Sequence, residues 1–351
     1  MTYLTAFATA LCLLTFTCCH TSSGTVADSL LAPPLGADDT AAIDIKGISF
    51  VAPPRPFPLP PMPAVQAVNA EWVAVIPYAF TMPGRPTVSY NHSTQWWGER
   101  PEGVTETIYR AHTAGLKVML KPQVFVPGDW PGGLDFTDAE WELWEADYTR
   151  YLMPFVEIAD SIGVEMICIG TEFTKSETQR EQYWRDLIAR IRVAYDGELT
   201  YAANWDTYRN TPFWDALDYI GVDAYFPLSE AAAPSVDTLL QAWRPYALQM
   251  AALSERVQKP ILFTEWGYLS VKQAAWRTWE LEANVRERSI DEQAQAQAYE
   301  AIFRMYGAQP WWRGGFVWKW FPNGRGGEGY NERDYTPQGK AAEAVLRRWY
   351  E

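Results

Sequence analysis

Two glutamates stand at the ends of apolar, strand-like runs. Glu172 ends the run Ile167-Cys168-Ile169-Gly170-Thr171-Glu172, and Glu265 follows Ile261-Leu262-Phe263-Thr264. Each carboxyl sits where an apolar, strand-like run gives way to a loop. A charge in that place is expensive unless it is paired or functional. A salt bridge or a helix N-terminal contact explains one such residue well and two of them poorly. Glycosidic cleavage needs a pair of carboxyls. One protonates the leaving oxygen, and the other attacks the anomeric carbon or activates water. Carboxyls ~5–5.5 Å apart serve direct attack with retention, and a gap of ~6.5–9.5 Å leaves room for water and inversion. One of the two must hold its proton near neutral pH, which takes burial or a like charge nearby. Residue type alone leaves open which glutamate that is.

The elements that must carry them are legible as apolar runs. They are Lys46–Val51, Trp72–Tyr78, Lys117–Val124, Glu165–Glu172, Leu199–Asn204, Tyr219–Tyr225, Pro260–Trp266 and Gly315–Phe321. Most are nearly continuous in apolar residues, as strands buried on both faces should be. Helical patterns separate them: Glu102–Ala114, Thr137–Ile162, Glu177–Tyr195, Val236–Val257, Asp291–Tyr306 and Pro337–Tyr350. Strand–helix alternation implies a parallel sheet with right-handed crossovers. Eight repeats fit a closed (β/α)8 TIM barrel, here a single domain over residues 43–351. Glu172 then ends the fourth strand and Glu265 closes the seventh, both at the C-terminal mouth. The long loops Pro77–Pro101 and Phe125–Phe136 open on the same face.

Other residues fall around that mouth. Lys121 and Gln123 lie two apart on the third run and share a face. A lysine aimed into a barrel is expected to bond substrate or a catalytic carboxylate. The chain holds 18 Trp and 19 Tyr, more than a core needs, and indole faces stack well on pyranose rings. Trp318, Trp205, Trp96, Trp97 and Trp266 are the platform candidates, with core or loop packing as the alternative for each; Trp320 shares the parity of Trp318. Asp223 reads as structural, and Asp206 and Glu99 as loop hydrogen-bonding residues.

The formal net charge is −14, which excludes nucleic acid as a partner, because phosphate binding needs clustered Lys and Arg. It disfavours a strongly anionic polysaccharide and suits a neutral β-linked glycan. Three of the four Cys lie in the first twenty residues, so no disulfide framework is expected. The three scattered His offer no metal site. No cofactor is implied, since this hydrolysis needs water and two carboxyls. Gly324-Arg325-Gly326-Gly327 lacks the lysine and spacing of a phosphate loop. Residues 1–19 read as an export signal, with an apolar stretch from Leu4 to Phe16 that is too short to span a membrane. Cys18 or Cys19 is placed for lipid attachment to the cell envelope, the alternative being an ordinary secretion signal. Residues 20–42 read as a flexible tether, and a monomer is expected.

An ordered set of motifs then makes the likeness specific. They are Lys46-Gly47-Ile48-Ser49-Phe50, Trp96-Trp97-Gly98-Glu99, Gly115-Leu116-Lys117-Val118-Met119-Leu120-Lys121-Pro122, Ile169-Gly170-Thr171-Glu172 and Ala203-Asn204-Trp205. Further on come Tyr219-Ile220-Gly221-Val222-Asp223-Ala224-Tyr225-Phe226-Pro227, Thr264-Glu265-Trp266-Gly267 and Phe316-Val317-Trp318-Lys319-Trp320. Each is weak alone, and together they span almost the whole barrel. The chain resembles the clan A glycoside hydrolases, and among them family 113, the endo-β-1,4-mannanases. The resemblance implies retention, with Glu172 as acid/base and Glu265 as nucleophile. It implies that Tyr225 hydrogen-bonds the nucleophile and that Trp318 is the platform at the cleavage subsite. Most of the clan carries Asn just before the acid/base, where it binds the sugar 2-hydroxyl. Thr171 stands there instead, which leaves Asn204 or Gln123 as substitutes for that contact. Two other readings compete: the same mechanism on another neutral β-glycan (glucan, xylan or galactan), and a non-catalytic glycan-binding surface lipoprotein. The presence of both glutamates counts against the last.

Overall fold

Strands form where the chain is apolar towards both faces. The computed structural model describes residues 30–324 and 330–351. Its barrel strands are β1 (Ile45–Phe50), β2 (Trp72–Val75), β3 (Lys117–Leu120), β4 (Met166–Thr171), β5 (Glu198–Asn204), β6 (Ile220–Asp223), β7 (Ile261–Trp266) and β8 (Trp312–Trp320). They pair in parallel in chain order, and β8 pairs with β1, so the sheet closes. The expected (β/α)8 barrel is therefore the observed fold.

Alternation along each strand builds two cores. Ile45, Trp72, Met119, Met166, Leu262 and Phe316 point inward and fill the barrel. Their neighbours Ile48, Val73, Val118, Ile167, Phe263 and Val317 point outward and pack under the helices. The inner fill makes the barrel a solid support rather than a pore.

The helix Asp138–Ile162 shows how the outer layer is fixed. Thr137 and Glu140 form a reciprocal cap at its start, and Gly163 ends it with φ 76°, a backbone conformation that favours glycine. Trp141, Trp144, Tyr148, Tyr151 and Phe155 recur at helical spacing on its buried face. Tyr148 donates its hydroxyl to the Ile169 carbonyl at 2.9 Å, and Tyr151 donates to the Pro77 carbonyl at 2.8 Å. The helix is thereby pinned to the strand tops beside the site.

Three details differ from the sequence expectation. The second and third apolar runs each break after a barrel strand. Their remainders, Tyr78–Phe80 and Gln123–Phe125, form a separate parallel pair above the mouth. Pro77 and Pro122 stand at the breaks, and neither can donate to a continuing ladder. The helix expected over Glu177–Tyr195 is two helices, Thr174–Gln179 and Glu181–Ala194. Arg180 between them leaves helical geometry and donates from Nε and Nη2 to the two carboxylate oxygens of Glu145. Within the expected tether, the second half is docked. Leu35 exchanges hydrogen bonds with Arg304, and Ala32 with Gln309, while Leu31, Leu35 and Ala41 pack on the core. The export signal, with Cys18 and Cys19, lies outside the described residues.

Candidate active site

Glu265 points from β7 into the barrel mouth. Its Oε1 accepts from Gln123 Nε2 at 2.6 Å and from Lys121 Nζ, and its Oε2 accepts from the Tyr225 hydroxyl at 2.9 Å. Lys121 is fully buried and also reaches Asp223 Oδ1 at 3.4 Å. Burial opposes its charge, but the carboxylates of Asp223 and Glu265 outweigh that and raise its pKa. A permanent cation therefore lies against Glu265. Burial, and then the charge of Glu265, push the Tyr225 hydroxyl well above its ordinary value, so it stays a neutral donor. Three donors, one of them cationic, converge on one carboxylate.

Glu172 stands in a different field. It follows β4 with φ 56°, a left-handed backbone that disfavours a glutamate by ~1–3 kcal/mol. Neighbours hold it there. Its N–H donates to the Ala202 carbonyl, and its own carbonyl accepts from Thr174, both at 2.8 Å. The next amide, Phe173, donates to the Tyr201 hydroxyl at 2.8 Å, and that hydroxyl donates to Glu177 Oε1 at 2.8 Å. Burial raises the pKa of Glu172 well above the usual carboxylate range, and the facing charges of Asp223 and Glu265 raise it further. Burial and like charges thus favour the proton on one carboxyl of the pair, while three donors surround the other.

Both glutamates line one cavity of about 710 Å³. Thr171, Asn204 and Asp223 line it too. Thr171 Oγ1, Asn204 Oδ1 and Asp223 Oδ2 are buried polar atoms without a partner among the described residues. Buried polar atoms normally find partners, so these three mark the wall as built for a hydroxyl-rich ligand. Asp223 accepts from Thr264 at 2.7 Å through its other oxygen. Burial, with the charge of Glu265, pushes its carboxyl up to about 7. Its bonds to Thr264 and Lys121 tie strand ends together, the structural role read from sequence, and it also lines the cavity. Among the described residues no group of three or more His, Cys, Asp and Glu side chains could hold a metal ion.

The family model of Glycoside Hydrolase Family 113 matches residues 61–340. The chain belongs to Glycoside Hydrolase Family 113. It is similar to the family 113 β-mannanase from Alicyclobacillus acidocaldarius, solved in complex with ManMIm. The identity is 29%, over 89% of this chain and 98% of that one, with a TM-score of 0.76. A second family 113 β-1,4-mannanase, also solved as a complex, is 27% identical over 88% and 99% of the two chains, with a TM-score of 0.74. A β-glucuronidase from Ruminococcus gnavus shares the fold alone, at 15% identity over 88% of this chain and 50% of that one, with a TM-score of 0.60. No curated protein sequence matches the chain. This family 113 chain is a glycoside hydrolase, and its two glutamates occupy the mouth where barrel enzymes build their sites.

The remaining expected site residues of this family 113 protein divide. Gln123, Asn204, Trp205, Tyr225 and Trp318 line the cavity. Trp318 is followed by a cis peptide bond to Lys319. A Cβ on Gly267 would stand 2.4 Å from the Trp318 carbonyl, so only glycine lets these two strand ends meet. Lys121 lies beneath the cavity and touches Glu265 rather than facing it from the wall. Trp266 is corrected: it is buried on the outer side, 4.8 Å from Tyr299 and 5.4 Å from Phe303 by ring centroids. Adjacent strand residues point to opposite faces, so an inward Glu265 forces Trp266 outward. Trp96 and Trp97 lie outside the cavity lining; Trp96 is exposed, and Trp97 packs edge-on against Phe57. Trp279, Tyr335, Glu282 and Lys319 line the cavity and were missed. Trp279 and Glu282 come from a five-residue helix too short to show a period, Tyr335 comes from an irregular segment, and Lys319 sits between two tryptophans.

Proposed function

We propose that the chain is a retaining β-1,4-mannanase acting by double displacement. The observation that carries this reading is the unequal treatment of two carboxyls around one cavity. Glu265, gripped by Lys121, Gln123 and Tyr225, is the nucleophile. Glu172, whose pKa is raised by burial and by facing carboxylates, is the acid. In the first step Glu172 gives its proton to the glycosidic oxygen as a Glu265 oxygen bonds to the anomeric carbon, and the leaving sugar departs with that proton. In the second, Glu172, now a carboxylate, takes a proton from water. The water oxygen bonds to the same carbon, and Glu265 leaves as a carboxylate. The net configuration is retained because the carbon is inverted twice.

The similarity to two family 113 β-mannanases supports mannan as substrate. The unpartnered atoms of Thr171, Asn204 and Asp223 supply polar contacts for sugar hydroxyls. The test is a polysaccharide panel of glucomannan, galactomannan, xylan and cellulose, with the anomer released first followed by NMR. Initial release of the β-anomer from mannans is expected. Initial α-anomer would sink the double displacement, and cleavage of xylan or cellulose with mannans untouched would sink the substrate.

A further inference from the structure

The catalytic pair leaves one feature of the cavity unused. Trp205 follows β5 directly, and Trp279 stands in the short helix Thr278–Glu282 beyond β7. Both line the cavity. Their rings are stacked, with centroids 5.6 Å apart and planes at 19°. Trp205 is braced by Phe226 at 5.7 Å, which itself packs on Trp243 and Tyr246. The brace fixes the inner ring, and the inner ring fixes the outer one. Trp279 is nevertheless 43% exposed. An indole held rigid and left open inside a cleft is a prepared flat surface, and little ordering entropy remains to be lost when a ligand stacks on it.

Position decides which sugar it takes. Going round the barrel from Glu172 to Glu265, one arc holds β5 and β6, and the other holds β3, β2, β1 and β8. Trp318 rises from β8, on the second arc. Trp205 rises from β5, three residues after Ala202, whose carbonyl accepts from the Glu172 amide. With the retained sugar on Trp318, the departing sugar lies over the first arc, beside the acid that protonates its oxygen. We propose that the Trp205–Trp279 stack is the platform for the leaving portion of the glycan. The cleft then grips the chain on both sides of the bond it cuts. This inference rests on the double-displacement reading, because that reading sets which side of the bond departs.

The test compares two substrates cleaved at the same bond type. Mannohexaose carries sugars on the leaving side, and β-mannobiosyl fluoride carries a single atom there. In Trp279→Ala the ratio of kcat/KM for mannohexaose to that for the fluoride is expected to fall about tenfold, with Trp279→Phe close to the wild-type ratio. Cleavage of mannohexaose should also move to bonds that leave fewer sugars on the departing side. Trp318→Ala, on the other arc, should lower both values together. An unchanged ratio in Trp279→Ala, whether both activities fall or neither does, overturns the platform. If the wild type cleaves neither substrate, the mannan reading has failed separately. The same ratio, taken on the β-glycan it does cleave and the matching glycosyl fluoride, then decides the platform.

Discussion

Tyr225 donates its hydroxyl to Glu265 Oε2 at 2.9 Å while Gln123 donates to Oε1 at 2.6 Å, so each oxygen of the carboxylate is held by its own donor. The hold matters because a nucleophile must meet the anomeric carbon along a narrow path. Tyr225→Phe removes one donor and leaves the ring. A hydrogen bond to a charged group contributes ~1.5–3 kcal/mol, so kcat should fall about tenfold to a hundredfold. The fold should survive, since the Tyr225 ring packs on Tyr335 without the hydroxyl. Steady-state kinetics on a mannooligosaccharide check this; a kcat within twofold of wild type would remove Tyr225 from the machinery.

Lys121 contacts both Glu265 and Asp223 directly, and it is buried with them. Replacing it by methionine leaves two carboxyls facing each other in the same low-dielectric floor. Breaking a buried ion pair on one side typically destabilises by ~3–5 kcal/mol. Lys121→Met is therefore expected to lower Tm and to abolish most activity. Adding Asp223→Asn, which removes one of the opposed charges, should recover part of the stability. Denaturation of the single and double variants checks the sign; a single variant as stable as the wild type contradicts the account.

The barrel was legible because its strands are buried on both faces and so read as apolar runs. Glu172 and Glu265 were legible for the complementary reason, that a carboxyl at the end of such a run needs an explanation. Trp266 was misread although strand parity fixes it: its neighbour Glu265 already occupies the inner face. Trp279 and Tyr335 carry no comparable signal. Their positions depend on where the chain returns over the mouth after β7 and after β8, and those paths are set by tertiary packing. The contact of Lys121 with a catalytic carboxylate was legible from its inward position on the third strand run; the approach of Asp223 to the same lysine was not, because the two meet only when distant strands close.

The raised pKa of Glu172 gives the activity a direction with pH. The acid must be protonated for the first step, so kcat/KM is sustained below its pKa and falls as pH rises through it. Glu172→Gln has no proton to lose. On an aryl glycoside with a good leaving group, which needs little protonation, that variant should keep measurable kcat/KM and lose the alkaline limb. On mannan it should be nearly inactive. A pH–rate profile of both proteins on both substrates checks this, and an alkaline limb that persists unchanged in Glu172→Gln would assign the limb to another group.

Stability carries a second pH dependence, from Glu177. Burial pushes this carboxyl up to about 7, against the donated hydroxyls of Tyr201 and Thr211, whereas an unfolded glutamate titrates at ~4.3. Between those values the folded chain binds more protons than the unfolded one, so stability falls as pH rises. The contribution is complete below the unfolded pKa and is lost by the time pH passes about 7; integrated, it is on the order of 3 kcal/mol. Glu172 and Asp223 titrate in the same sense, so the comparison must be with a variant. Glu177→Gln should flatten part of the slope measured by urea denaturation between the two values, and an identical slope would exclude Glu177 as its source. Tyr201→Phe probes the other end of the same contact. It leaves the Phe173 amide without its acceptor next to the left-handed Glu172, at a typical ~1–3 kcal/mol for a buried unpaired group. If that contact orients the acid, kcat on mannan should fall more in Tyr201→Phe than kcat on the activated aryl glycoside, a split that loss of stability alone would not produce.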